Sequence, residues 1–166
     1  RRTKTMSVLD SIIEGVREDL AARRLPMSEL LEAIEVAPPV RDCLSALLTE
    51  DISVIAEVKR SSPSKGELAV IADPVSLAKS YQEGGADVIS VLTEERRFKG
   101  SISDLISIRA AIEIPVLRKD FIVTEFQVYE SRILSADLML LIVAGLSKSQ
   151  LTDFYQLATE LGMDVL

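Results

Sequence analysis

Apolar residues recur along this chain with two different spacings. Val8, Leu9, Ile12, Ile13, Val16 and Leu20 fall three and four residues apart, which predicts a helix over Val8 to Ala22 with Ser7 as its N-cap. Met27 to Ile34, opened by Pro26, predicts a second short helix; Pro38 and Pro39 break the chain before Val40 to Leu48 resumes helical spacing. From Ile52 onward, short apolar runs alternate with amphipathic stretches. The runs predict strands at Ile52 to Val58, Val88 to Leu92, Val116 to Arg118 and Leu138 to Ile142, with a fifth beginning at Met163. The stretches between them predict helices at Pro74 to Glu83, Ser103 to Ala111, Glu125 to Leu134 and Ser147 to Leu161. Asp73, Ser101, Thr124 and Ser147 stand near helix starts as caps, and Gly84, Gly85 and Gly162 mark helix ends.

Strand and helix in strict alternation give an α/β class with a parallel sheet, of which four units are complete and a fifth has begun. Two architectures accept that order: an open doubly wound sheet, and the closed (β/α)8 barrel of about 250 residues. No G-x-G-x-x-G follows the first strand, and charged residues recur at several strand ends, which favours the barrel. The 166 residues cannot supply eight units, and Met163 to Leu166 reads as a strand. The expected architecture is therefore the N-terminal part of a (β/α)8 TIM barrel within a longer protein. In it, residues 1–50 are an added helical extension and residues 51–166 a truncated barrel holding strands 1 to 5. Met6 reads as a natural start, with Arg1 to Thr5 ahead of it.

Composition narrows the function. The chain is 48% hydrophobic, enough to bury one sizeable core, and its net charge of -7 argues against nucleic acid or an anionic membrane surface as partner. No apolar run approaches a membrane span, the longest being Leu138 to Ala144, and Asp10, Glu14, Glu18 and Asp19 interrupt what would be a signal core. One cysteine, Cys43, excludes an internal disulfide; the absence of histidine excludes Cys-His nucleophile pairs and the common His-rich metal sites. A reducing, cytoplasmic setting is expected.

Three segments carry candidate chemistry. In ISVIAEVKRSSPSKG, from Ile52 to Gly66, a strand runs into charge, and period-two alternation puts Glu57 and Lys59 on one face. The pair is either an ion pair at a barrel rim or part of a site. The hydroxyls, backbone donors and flexible turn of Ser61 to Gly66 suit a phosphate or carboxylate beside the lysine. In PVLRKDF the same alternation sets Leu117, Lys119 and Phe121 on one face, against Val116, Arg118 and Asp120 on the other. Lys119, among apolar neighbours, is either an acid with a lowered pKa or a lysine snorkelling from the rim; Arg118 and Asp120 read as an outward structural pair. In SVLTEERRFKGS, otherwise a polar connection of the usual solvated kind, Phe98 is an aromatic placed to cover a flat ring. Asp137 reads as structural, and Leu140 and Ile142 as barrel filling.

Taken in order, IAEVKRSSPSKG, SVLTEERRFKGS, PVLRKDFIV and LLIVAGLS resemble the indole-3-glycerol phosphate synthase family, the likeness running from Ile52 to Leu166. The helical lead-in is similar to that family's extra N-terminal helices. The resemblance implies a (β/α)8 barrel of tryptophan biosynthesis that uses no cofactor or metal. Its substrate would be a small phosphorylated molecule, 1-(2-carboxyphenylamino)-1-deoxyribulose 5-phosphate, closed with loss of carbon dioxide and water. It implies Lys119 as catalytic acid, Lys59 as partner of the substrate carboxylate and in later proton transfer, and Glu57 as the group orienting Lys59 and the sugar hydroxyls. Ser62 would meet the phosphate, and Phe98 and Phe121 the anthranilate ring. The family's fifth-strand glutamate base and later phosphate loops would lie beyond Leu166, so this chain alone is expected to have at most residual activity. Ser61, where the family often has alanine, and Arg97 are departures that remove no catalytic group. Competing expectations are another phosphosugar barrel, such as phosphoribosylanthranilate isomerase or an epimerase, and a non-catalytic half-barrel scaffold. Open sheet edges lead us to expect self-association or rearrangement.

Overall fold

The computed structural model describes residues 6–166; Arg1 to Thr5, read above as preceding a natural start, lie outside the described residues. Three helices lead in: α1 (Val8–Arg23), α2 (Met27–Val36) and α3 (Cys43–Leu47). Ser7 caps α1 in a reciprocal capping box with Asp10, and Asp42 caps α3. The third helix is shorter than Val40 to Leu48. Its cap sits at Asp42, whose carboxylate accepts the Ser45 N–H at 2.9 Å, while the N–H of Arg41 just before it goes to the Asp137 carboxylate at 2.7 Å.

Five strands then form one parallel sheet in sequential order: β1 (Ile55–Val58), β2 (Val88–Leu92), β3 (Val116–Lys119), β4 (Leu138–Met139) and β5 (Asp164–Val165). Helices α4 (Pro74–Glu83), α5 (Ile102–Ala111), α6 (Glu125–Ile133) and α7 (Lys148–Glu160) make the connections. Asp73, Ser101 and Ser147 accept the capping N–H bonds anticipated for them. Neither strand order nor helix placement reverses, as a doubly wound sheet would require. Ala78, Leu105, Ile108, Val128, Phe154 and Ala158, drawn from all four helices, pack with Val58, Ile89, Val91, Val116 and Met139 in a single core on one face of the sheet. This is the sheet and outer helical layer of a barrel. Truncating a fully buried member such as Ile89 or Leu105 to alanine should cost about 2–5 kcal/mol.

The opposite face of the sheet is the barrel interior. At its amino end Ile55, Val88, Leu117 and Leu138 meet Cys43 and Leu47 of α3, so α3 closes the bottom, and Leu140 joins this cluster as barrel filling. Cys43 is buried there; burial, with nearby Asp164, Asp137 and Asp42, raises its thiol pKa to about 11 and leaves it inert. Asp137, also fully buried, receives Arg109 at 2.8 and 3.0 Å and the N–H groups of Arg41 and Val116. It joins the lead-in to the bottom of the sheet.

Two strands are shorter than their apolar runs. The run at Ile52 begins outside the sheet, with Ile52 91% exposed, because Val54 already exchanges bonds with Asp87, its N–H to the carboxylate and its carbonyl to the backbone N–H. The run from Leu138 pairs only through Met139; Leu141 still donates to the Leu166 carbonyl, after which Val143–Gly145 coils into a 3-10 turn. Ile142 leads that turn and, like Leu140, is half-buried. Among the described residues, no helix is long and apolar enough to cross a membrane.

Candidate active site

Parallel pairing aligns Glu57 with Ser90 and Leu92 with Lys119, so the interior-facing polar residues gather at the carboxyl ends of β1, β2 and β3. Glu57 sits at the centre. Lys59 Nζ approaches its Oε1 at 2.8 Å, while Lys119 Nζ and Ser90 Oγ donate to Oε2 at 2.9 and 3.0 Å. Partial burial pushes the Glu57 pKa up, but hydrogen bonds from Lys119 and Lys59 outweigh it and hold the carboxyl below the usual range. Both lysine side chains stay about one-third exposed, at 34% and 36%, so a ligand can reach them. The arrangement is a carboxylate strapped between two ammonium groups that converge on one space. The Lys119 ammonium turns inward to Glu57. A cleft of about 390 Å³ beside Glu57 and Lys59 lies at the outer edge of β1, lined by Ile71, Leu77 and Tyr81, and does not reach Lys119.

Beyond Lys59 the chain makes a two-residue ribbon, Ser61–Ser62 against Gly66–Glu67, whose loop leaves Pro63 to Lys65 exposed. Ser61 is buried and donates to the Gly66 carbonyl, whereas Ser62 is half-buried beside it. Arg60 secures the segment by pairing with Asp104 of α5.

The loop after β2 differs from a solvated connection. Thr93 and Glu94 are buried, and Glu94 Oε2 accepts the N–H groups of Arg97 and Phe98 at 2.7 and 2.9 Å. At the loop's end Gly100 lies so close to β2 that a Cβ would collide with the backbone of Leu92 and Thr93. Phe98 is thereby set against Phe121, ring centroids 5.8 Å apart and planes tilted by 39°. Both rings pack under α1 with Ile12 and Val16. Arg96 fastens the loop to α1 from outside, reaching Asp19 at 2.7 Å and Glu18 at 2.8 Å, while Arg97 donates to Ser11 at 2.8 Å.

On the outer face of β3, Arg118 and Asp120 do pair, at 3.2 Å, but under cover: Arg118 is completely buried. Its other donors go to Thr93 Oγ1, Ser131 Oγ, the Gln127 carbonyl and Glu130 Oε2, the last at 2.8 Å. Glu130 also receives Arg23 of α1 at 2.7 Å. Burial raises the Glu130 pKa, yet Arg118 and Arg23 together bring it below the ordinary carboxylate range. A depressed native pKa means that the unfolded chain binds this proton more readily, so the stabilisation is full above pH about 4.3 and is lost as pH falls below it. The slope of unfolding free energy against pH in that acid window should be shallower in Glu130→Gln than in the parent protein. Equal slopes in the two denaturation series would rule Glu130 out as the source.

Glu57, Lys59 and Lys119 are thus brought into direct contact, Phe98 and Phe121 into a second pair, and Ser62 onto the adjoining ribbon. Sequence reasoning gave no role to Ser90, although a hydroxyl at the inward position of the run Val88–Leu92 was a readable signal. Arg96 and the Arg23–Glu130 pair carried no such signal, since their partners are 77 and 107 residues away. Among the described residues, no group of three or more His, Cys, Asp or Glu side chains could hold a metal ion.

A sequentially ordered parallel sheet with helices layered on its outside and charged residues gathered at its carboxyl ends defines part of a (β/α)8 barrel. Residues 9–166 match the family model described as indole-3-glycerol phosphate synthase. The indole-3-glycerol phosphate synthase of Paenarthrobacter aurescens (strain TC1) is 56% identical over 168 residues, covering 97% of this chain and 62% of that protein. That of Streptomyces griseus is also 56% identical, over 97% of this chain and 61% of its own length. That of Mycobacterium tuberculosis (strain ATCC 25177 / H37Ra) is 53% identical, over 96% and 60%. The chain belongs to the indole-3-glycerol phosphate synthase family, and it spans about 60% of the length of these curated relatives.

Proposed function

We propose that these residues form one wall of a tryptophan-pathway active site that converts 1-(2-carboxyphenylamino)-1-deoxyribulose 5-phosphate into indole-3-glycerol phosphate, carbon dioxide and water. The observation that supports this most is the Lys59–Glu57–Lys119 contact. Ring closure joins the carboxylate-bearing aromatic carbon to the ketone carbon of the sugar chain, and the carbonyl oxygen gains a proton as the bond forms. Lys119 serves as that acid. Lys59 pairs with the substrate carboxylate until it departs as carbon dioxide, then assists the proton transfer that lets the hydroxyl leave as water. Glu57 exchanges part of its hold on the lysines for the sugar hydroxyls. Ser62 meets the phosphate, and Phe98 and Phe121 line the aromatic ring. The reaction asks for no cofactor or metal, and a cytoplasmic setting suits the lone, buried Cys43.

The test is to supply this substrate, and separately phosphoribosylanthranilate and a pentulose phosphate, to the protein completed to the length of its relatives. Appearance of indole absorbance from the first compound alone is expected. Turnover of either competitor instead would assign a different phosphosugar barrel, and no turnover of any would favour a scaffold. The 166-residue chain by itself should show residual activity at most.

Self-association of the isolated chain belongs to the same proposal. β1 and β5 each have a single strand neighbour, and the borders beside them expose Val70 by 88% and Val143 by 67%. Sedimentation at rising concentration should show dimers or larger species; a single monomeric boundary throughout, with one cooperative unfolding transition, would refute this.

A further inference from the structure

The two faces of β3 divide the labour of the site. We propose that Arg118 is a positioning residue whose buried outer-face clamp aims Lys119 and Phe121 inward, an inference that rests on the catalytic reading given above. In a strand, the direction of residue 119 is set by how residues 118 and 120 are held on the other side. Here both are held hard. Arg118 is completely buried and spends donors on three elements: Thr93 at the end of β2, Asp120 beyond β3, and Ser131 with Glu130 on α6. Thr93 Oγ1 closes the triangle by donating to Asp120 Oδ2 at 2.5 Å. Asp120 Oδ1 in turn accepts the N–H of Phe121 at 2.7 Å, and Gln127 Nε2 donates to the Phe121 carbonyl at 2.9 Å. Lys119 therefore stands between a side chain held on its amino side and a backbone held on its carboxyl side, by bonds made wholly outside the substrate space. A planar five-donor fork can hold so many acceptors at once where an ammonium cannot.

The test compares two buried arginines in the completed protein. Arg118→Met combined with Glu130→Leu removes the clamp without stranding Glu130; Asp120 keeps the Thr93 hydroxyl and the Phe121 N–H, and Arg23, one-third exposed, turns to solvent, while Arg109→Met breaks the Asp137 hub at the opposite end of the barrel. The clamp variant is expected to fold cooperatively, with kcat lowered at least tenfold and KM changed less than threefold. Arg109→Met should lose melting temperature and keep kcat within twofold. Acetic anhydride labelling, read by mass spectrometry, gives a readout free of turnover. Lys59 and Lys119 share one carboxylate, so loosening of the whole fold raises both labelling rates together, whereas a lost aim raises Lys119 alone by severalfold. Unchanged kcat and an unchanged Lys119-to-Lys59 labelling ratio in the clamp variant would overturn the proposal. So would an equal loss of kcat in Arg109→Met. If the clamp variant does not fold, Thr93→Val, which deletes one hydroxyl of the triangle, is read by the same two criteria. Failure of the parent protein to turn over the substrate would sink the catalytic reading, and the labelling ratio would still decide the clamp.

Discussion

Lys119→Ala should lower kcat by about a hundred- to ten-thousandfold, the range general acid catalysis usually contributes. The expectation follows from position. Lys119 ends β3, its ammonium points to the interior, and it lies 2.9 Å from a carboxylate that a second lysine also holds. Removing it deletes the proton donor at ring closure but leaves Lys59 to receive the substrate carboxylate, so KM should move far less than kcat. A loss confined to kcat marks an interaction made in the transition state. Arginine at 119 should not rescue, because a guanidinium does not give up its proton in this range. Steady-state indole formation measures all of this, and near-parental turnover in the alanine variant would remove Lys119 from the mechanism.

Glu57→Gln should cost about ten- to a hundredfold in kcat/KM and change its pH dependence. The substitution keeps shape and the Ser90 contact but takes away the charge that both ammonium groups share. Two cations a few ångströms apart then lack their counter-ion, and mutual repulsion spoils the aim of each. In the parent protein the Glu57 carboxyl lies below the usual carboxylate range, its lysine bonds outweighing the opposing effect of burial. The active, ionised form therefore persists through neutral pH and is lost only as pH falls below about 4.3. An acid limb of kcat/KM in that region, absent from Glu57→Gln, would support the role. The same limb in both proteins would assign it to another group.

Most of the fold was legible because the two apolar periods are clean: Val88–Leu92 and Pro74–Glu83 coincide with the predicted bounds. Errors fell where a distant partner overrode local spacing. The strand at Ile52 starts late because Asp87 takes the Val54 N–H, and before the third lead-in helix the chain is tied by the Arg41 N–H to the distant Asp137. In the site, alternation alone put Glu57 and Lys59 on one face of their strand and Lys119 on the face of Leu117 and Phe121. It could not say that they touch, since strand register brings residues 57 and 119 together across an intervening strand. Arg118 shows the same limit. Its outward direction was readable, but not the helix that buries it.

The two fastenings of α1 differ in how they respond to salt. Arg96 meets Glu18 and Asp19 in open solvent, whereas Arg23 meets Glu130 at the margin of a dry network. At about 1 M salt, where screening acts over roughly 3 Å, the first attachment fades while the second largely persists. Ionic strength is thus a dial that slackens the roof over Phe98 and leaves the floor beneath Lys119 in place.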